Sequence, residues 1–349
     1  MGKQRQGRVH LVGSIAMETC EDVFRQVSAA VGPLIDTLPD GETGERSRWI
    51  YFQRTMLENH PAMEIDPDAE PLRLHQWDGV LLREMPLLRF RQGVDPATVT
   101  FPTGYEAAAR SSFVVFQRLQ ADGTIPPHVR FQVCLPTPMA SGYMYISPNA
   151  RDAYLDVYMR SLLAALADIL KAVPEEKLCI QFDVCQEVLV FENYFPERPH
   201  DYREQIFAEL ATLGDAVPET IPMGYHLCYG SPYDQHLVMP KDAGILAELM
   251  MGIVETTTRK TDFIHLPVPQ DRTDEAYFRP LASVAVPDET QLYLGLVHHD
   301  DETGDRLRIE AARKYFSEFG IATECGWGRT DPLRVPGLLA SHRRAAQYV

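Results

Sequence analysis

The stretch His226-Leu227-Cys228-Tyr229 separates an imidazole from a thiol by a single residue. On an extended strand, positions i and i+2 face the same way, so both groups can reach one ion. A further thiol stands in Glu324-Cys325-Gly326-Trp327. His226, Cys228 and Cys325 make a zinc-like set, two soft thiolates and one imidazole with room for a fourth ligand. Taken alone, a His-x-Cys is weak, because buried cysteine usually acts as a small hydrophobe. Carboxylates form a second group. In Ile180-Gln181-Phe182-Asp183, alternation puts Gln181 and Asp183 on one side. A buried carboxylate there calls for a ligand or a cation, with a structural hydrogen bond as the plainer alternative. Asp40-Gly41-Glu42-Thr43-Gly44-Glu45-Arg46 suits a cation or an amine, and is equally compatible with a solvated acidic turn. Gly13-Ser14 can bring a backbone N–H and a hydroxyl to an anionic group, or simply make a tight turn. His298-His299-Asp300-Asp301-Glu302 offers two imidazoles as proton donor or ligand, oriented by neighbouring acids.

These residues gain weight from the elements that must carry them. Short apolar runs predict strands at residues 9–12, 34–38, 129–135, 178–184, 221–227, 263–267, 292–297 and 321–324. Amphipathic stretches alternate with them at 18–31, 45–57, 102–119, 150–172, 201–213, 242–258, 305–319 and 332–348. The clearest is 150–172, where Tyr154, Val157, Tyr158, Leu162, Ala165 and Ile169 keep one apolar face behind the start signal Ser147-Pro148-Asn149. Eight strands, each followed by a helix, imply parallel pairing with right-handed crossovers. The expected architecture is a single (β/α)8 TIM barrel over residues 1–349. An open doubly wound sheet competes, but no Gly-x-Gly-x-x-Gly follows the first strand. In a barrel, chemistry sits just after each strand, where all the residues above fall. Residues 60–101 break the alternation with Pro61, Pro67, Pro71, Trp77, Arg83, Arg89 and Arg91, and are expected as an excursion over the barrel mouth. Pro136-Thr137-Pro138 and Gly142-Tyr143 are expected as a rigid turn forming a pocket wall.

Composition narrows the partners. The 349 residues carry 33 Lys+Arg against 49 Asp+Glu, a net charge of −16, with 45% hydrophobic and 23% charged residues. That is globular composition, and its negative field disfavours nucleic acid and anionic membrane. The longest apolar stretches, such as 161–170, fall well short of a membrane span. Six scattered cysteines are too sparse for a secreted disulfide scaffold and are expected to be reduced. With no apolar signal region before the first strand, a cytoplasmic location is expected.

Together the spaced motifs resemble the C-terminal catalytic barrel of cobalamin-independent methionine synthase. Val12-Gly13-Ser14 is similar to the family's Ile-Gly-Ser, where the amino-acid carboxylate docks, and Gly41-Glu42 to the Gly-Glu that receives the substrate amine. Ile180-Gln181-Phe182-Asp183 is similar to its Gln-Ile-Asp, whose aspartate meets the same amine. His226-Leu227-Cys228-Tyr229 resembles the His-x-Cys-Tyr zinc pair, and Cys325-Gly326 the last zinc cysteine. Two departures stand out. The family's glutamate ligand at the sixth strand is matched by Pro267, with His265 as a deeper substitute, and the Glu-Pro after the aspartate is replaced by Val184-Cys185.

The resemblance implies a zinc-dependent methyl or alkyl transferase acting on a thiol. His226, Cys228 and Cys325 would hold zinc, and Gly13, Ser14, Glu42, Asp183 and Tyr229 would bind an amino-acid-like thiol. His298 or His299 would protonate the leaving group or organise the donor: a methylated corrinoid protein, a folate or a methylated small molecule. One alternative keeps the barrel as a uroporphyrinogen decarboxylase-like lyase, decarboxylase or demethylase, with Arg46, Arg48 and Arg329 on substrate carboxylates. Another is a non-catalytic binding barrel.

Overall fold

The computed structural model describes residues 8–349. The main sheet begins with β1 (Thr37–Pro39). The excursion follows as β2 (Met63–Ile65), β3 (Leu72–His75), β4 (Leu81–Met85) and β5 (Leu88–Phe90). The sheet continues as β6 (Arg130–Pro136), β7 (Leu178–Val184), β8 (Met223–Leu227), β9 (Phe263–Pro267), β10 (Gln291–Gly295) and β11 (Gly320–Ile321). Its order is β1-β6-β7-β8-β9-β10-β11, all pairs parallel, with helices between successive strands. The result is a curled seven-stranded parallel sheet of TIM-like architecture. Val9 makes single parallel bridges to Ile35 beside β1 and to Ile321 in β11, so it touches both edges of the curl. Of the first expected strand, 9–12, only this bridging residue pairs regularly.

β7 and β9 match their expected limits, and β7 is buried along its whole length. The longest helix, Pro148–Ala172, starts at a proline whose missing N–H costs nothing in the first turn. It buries the six expected apolar residues together with Ser161 and Leu166. Three expectations are corrected. The helix read at 45–57 is broken into a 3-10 turn, Gly44–Arg48, and a helix, Tyr51–Asn59. Between them Trp49 adopts φ 52°, a backbone state foreign to a helix. The rigid turn read after β6 is an eight-residue helix, Pro138–Tyr145, with every residue buried. The last strand shortens to two residues, because the chain from Thr323 turns into the site.

The excursion is a nested antiparallel hairpin, β2 with β5 and β3 with β4. Its tip lies over the mouth of the curl. The Tyr194 hydroxyl donates to His75 O at 2.7 Å and accepts from His75 N at 2.8 Å, and Trp77 N donates to His236 O at 3.4 Å. Leu74 on its inner face lines the cleft below.

Candidate functional site

Parallel register carries the chemistry to one rim. Asp183 in β7 lies opposite His226 in β8, and His226 opposite His265 in β9. Beyond the paired residues Val184 and Leu227, Cys228 N donates to Val184 O at 3.0 Å. The chain after β11 brings Cys325 to the same rim. One ligand atom each from His226, Cys228 and Cys325 lies within 4.8 Å of the others. The two sulfurs are 3.5 Å apart, and both thiols are free. Two sulfurs at about 2.3 Å from a tetrahedral zinc stand about 3.8 Å apart, so the pair is spaced for a metal and not for a disulfide. Without a cation the thiols hold their protons. Cys228 is raised chiefly by its hydrogen bond with Cys185, and Cys325 chiefly by its hydrogen bond with Cys228.

His265 is a positioning residue for the imidazole. Its Nε2 faces the carbonyl of Thr323 at 3.0 Å, which can only accept, so Nε2 carries the proton. Burial pushes its pKa far below the ordinary value, so the ring is neutral and its Nδ1 must accept. Its Nδ1 partner, at 2.7 Å, is Nδ1 of His226, which therefore donates. Nε2 of His226 is left with a lone pair for a metal, the tautomer fixed by the hydrogen bond behind it. With both nitrogens engaged, His265 does not substitute as a ligand. Pro267 offers no side-chain donor, and its carbonyl accepts from the Tyr277 hydroxyl at 2.7 Å.

The same cleft holds the carboxyl pair. Val12, Gly13, Ser14, Glu42, Asp183, His226, Cys228 and Cys325 all line it. Asp183 accepts from Gln181 Nε2 at 2.8 Å and from Trp49 Nε1 at 3.1 Å. Burial raises both carboxyl groups above the ordinary range, and the charge of Asp183 adds to the rise at Glu42. Two such groups in one cleft are poised to ionise against an ammonium group. Glu42 (φ 49°) and Trp49 (φ 52°) hold a left-handed backbone that costs on the order of 1–3 kcal/mol each, and both face the cleft. Gly41 beside them, at φ 78°, has no room for a side chain: a Cβ there would lie 2.6 Å from Val23.

Other expected residues lie elsewhere. Tyr229 points away, its hydroxyl 3.4 Å from that of Tyr277. His298 and His299 line a separate recess with Glu324 and Trp327, and the Cys325-Gly326 segment forms the wall between the two spaces. His298 Nε2 is 3.0 Å from the carbonyl of Val268, and burial lowers its pKa to about 4. Arg46 is taken by Asp40. Arg329 donates through Nη2 to Cys325 Sγ at 3.3 Å and through Nε to Ser231 O at 2.8 Å. Of the three arginines named for substrate carboxylates, Arg48 and Arg329 line the cleft. Trp49 was not legible as a site residue. Cys185 was signalled by the i, i+2, i+4 series Gln181, Asp183, Cys185.

Fold and site together define a TIM-like α/β protein with a candidate imidazole–dithiolate metal centre at its strand ends. No family model matches the chain, and no curated protein matches it. Among solved structures it is similar to a B12-independent methionine synthase from Shewanella sp. W3-18-1, in complex with selenomethionine. That match has 15% identity, covers 94% of this chain and 86% of the other, and has a TM-score of 0.58. It is also similar to a putative vitamin-B12 independent methionine synthase from Listeria monocytogenes, with 15% identity, the same coverages and a TM-score of 0.56. At this identity the likeness is one of fold.

Proposed function

We propose that the protein is a zinc-dependent methyl or alkyl transferase acting on the thiol of an amino-acid-like substrate. The observation that carries this reading is the convergence of His226, Cys228 and Cys325 in the cleft that also holds Glu42 and Asp183. The selenomethionine in the Shewanella structure is an amino acid with a chalcogen side chain, which agrees with that pairing. In this reading the chain from residue 8 to 12 serves as the eighth strand of a (β/α)8 barrel, which places Gly13 and Ser14 at the rim.

His226, Cys228 and Cys325 hold the metal, and zinc bound there supplies the means to keep a substrate thiol deprotonated at neutral pH. Glu42 and Asp183 ionise against the substrate ammonium and fix its orientation. Trp49 and Gln181 hold the Asp183 carboxylate in place through their N–H groups. Gly13 and Ser14 face the substrate carboxylate. The substrate sulfur gives its electron pair to the methyl carbon, the thiol proton having left. The bond from that carbon to the donor breaks, and the donor departs with the electron pair. The donor is a methylated carrier or small molecule that would enter by the open side of the cleft.

The test supplies zinc-loaded protein with amino-acid thiols and a panel of methyl donors, reading thioether by mass spectrometry. Thioether is expected from an amino-acid thiol, with loss in Cys228→Ser and Cys325→Ser. No thioether from any pair, or equal yield in the variants, would overturn the reading.

A further inference from the structure

Pro267 leaves the candidate centre with three close donors, and a further thiol stands beside them. The register that pairs Val184 with Leu227 sets Cys185 and Cys228 side by side as the next residues of neighbouring strands. Cys228 N donates to Val184 O at 3.0 Å, fixing that adjacency one residue past the strand ends. Cys185 is buried and lines the same cleft as His226, Cys228 and Cys325.

We propose that Cys185 is a fourth protein ligand of the substrate-free centre, completing a Cys3His set with His226, Cys228 and Cys325 in which a substrate thiolate would take the place of Cys185. This rests on the reading of that cluster as a metal centre. The three-atom group within 4.8 Å does not include Cys185. Joining them requires a side-chain rotation at Cys185. Charge is compatible with the assignment. A divalent ion with three thiolates and a neutral imidazole carries one net negative charge, costly to bury unpaired. The guanidinium of Arg329 sits against Cys325 Sγ at 3.3 Å and supplies the compensating positive charge. Cys3His is an established donor set for tetrahedral zinc.

The first measurement needs no variant: X-ray absorption at the zinc edge of the zinc-loaded protein. Three sulfurs at about 2.3 Å and one nitrogen at about 2.0 Å are expected. Two sulfurs with two lighter donors would overturn the fourth-ligand assignment and leave the metal-site reading standing. No bound zinc in folded protein would overturn both. The second measurement loads wild type and Cys185→Ser with cobalt(II). The variant should still bind one cobalt, with sulfur-to-metal charge-transfer absorption reduced by about one third per bound ion. Unchanged absorption per cobalt would contradict the proposal. Cys185→Ala gives the same comparison if the serine variant fails to fold.

Discussion

At the scale of single residues, the cleft works by holding groups in states that a ligand then relieves. Glu42 and Asp183 bind protons more tightly in the folded protein than in the unfolded chain, because burial disfavours their charged forms. The stability tied to those protons is full below the ordinary carboxylate pKa of about 4 and is lost as pH rises through the raised folded values. The melting-temperature difference between wild type and Glu42→Gln, both ligand-free, should therefore shift against wild type between about pH 5 and pH 8. The same variant should bind L-selenomethionine at least about tenfold more weakly, measured by calorimetry, since a charge-assisted contact contributes about 1.5–3 kcal/mol. His265 makes a separate prediction. Its Nδ1 fixes the tautomer of His226, so His265→Gln should weaken zinc affinity by about 10–100-fold at unchanged stoichiometry. Competition with a chromophoric chelator reads that change. The triad was legible because His226 and Cys228 obey strand alternation. The tautomer relay was not, because it depends on the register between β8 and β9.

At the scale of elements, the site depends on close passages between segments far apart in sequence. Gly326 packs against Ser14 so tightly that a Cβ would lie 2.5 Å from Ser14 Oγ and 3.0 Å from Ser14 N. Gly326→Ala should destabilise by about 1–3 kcal/mol and, by shifting Cys325, lower metal affinity as well. Thermal melts with and without zinc separate the two effects. The hairpin over the cleft is tied down by Tyr194, whose hydroxyl both donates to and accepts from the backbone of His75. Tyr194→Phe should speed limited proteolysis at residues 76–80 while leaving the curled sheet and its helices resistant. Strands and long helices were readable from periodicity, and so was the location of the excursion. The break at Trp49 was not, because a tryptophan in the left-handed region has no sequence signature and is held there by its bond to Asp183. The short helix Pro138–Tyr145 was masked by the prolines and glycine that suggested a turn.

At the scale of the whole molecule, seven parallel strands curl so that their C-terminal ends meet around one cleft, with Val9 touching both edges. Among the described residues no helix is long and apolar enough to cross a membrane. The site draws on β7, β8 and the segments after β1 and β11, so it gathers parts of the chain nearly 300 residues apart, from Glu42 to Cys325, and its metal would tie β8 to the segment after β11. Zinc at one hundred times its dissociation constant should add about 2.7 kcal/mol of stability, raising the melting temperature in wild type and not in Cys228→Ser. The most direct test of the central claim is metal content per chain in protein purified without chelators, beside Cys228→Ser and Cys325→Ser. One zinc per wild-type chain, lost in both folded variants, is the predicted result. Folded wild type that holds no zinc and takes up none on addition would contradict the account.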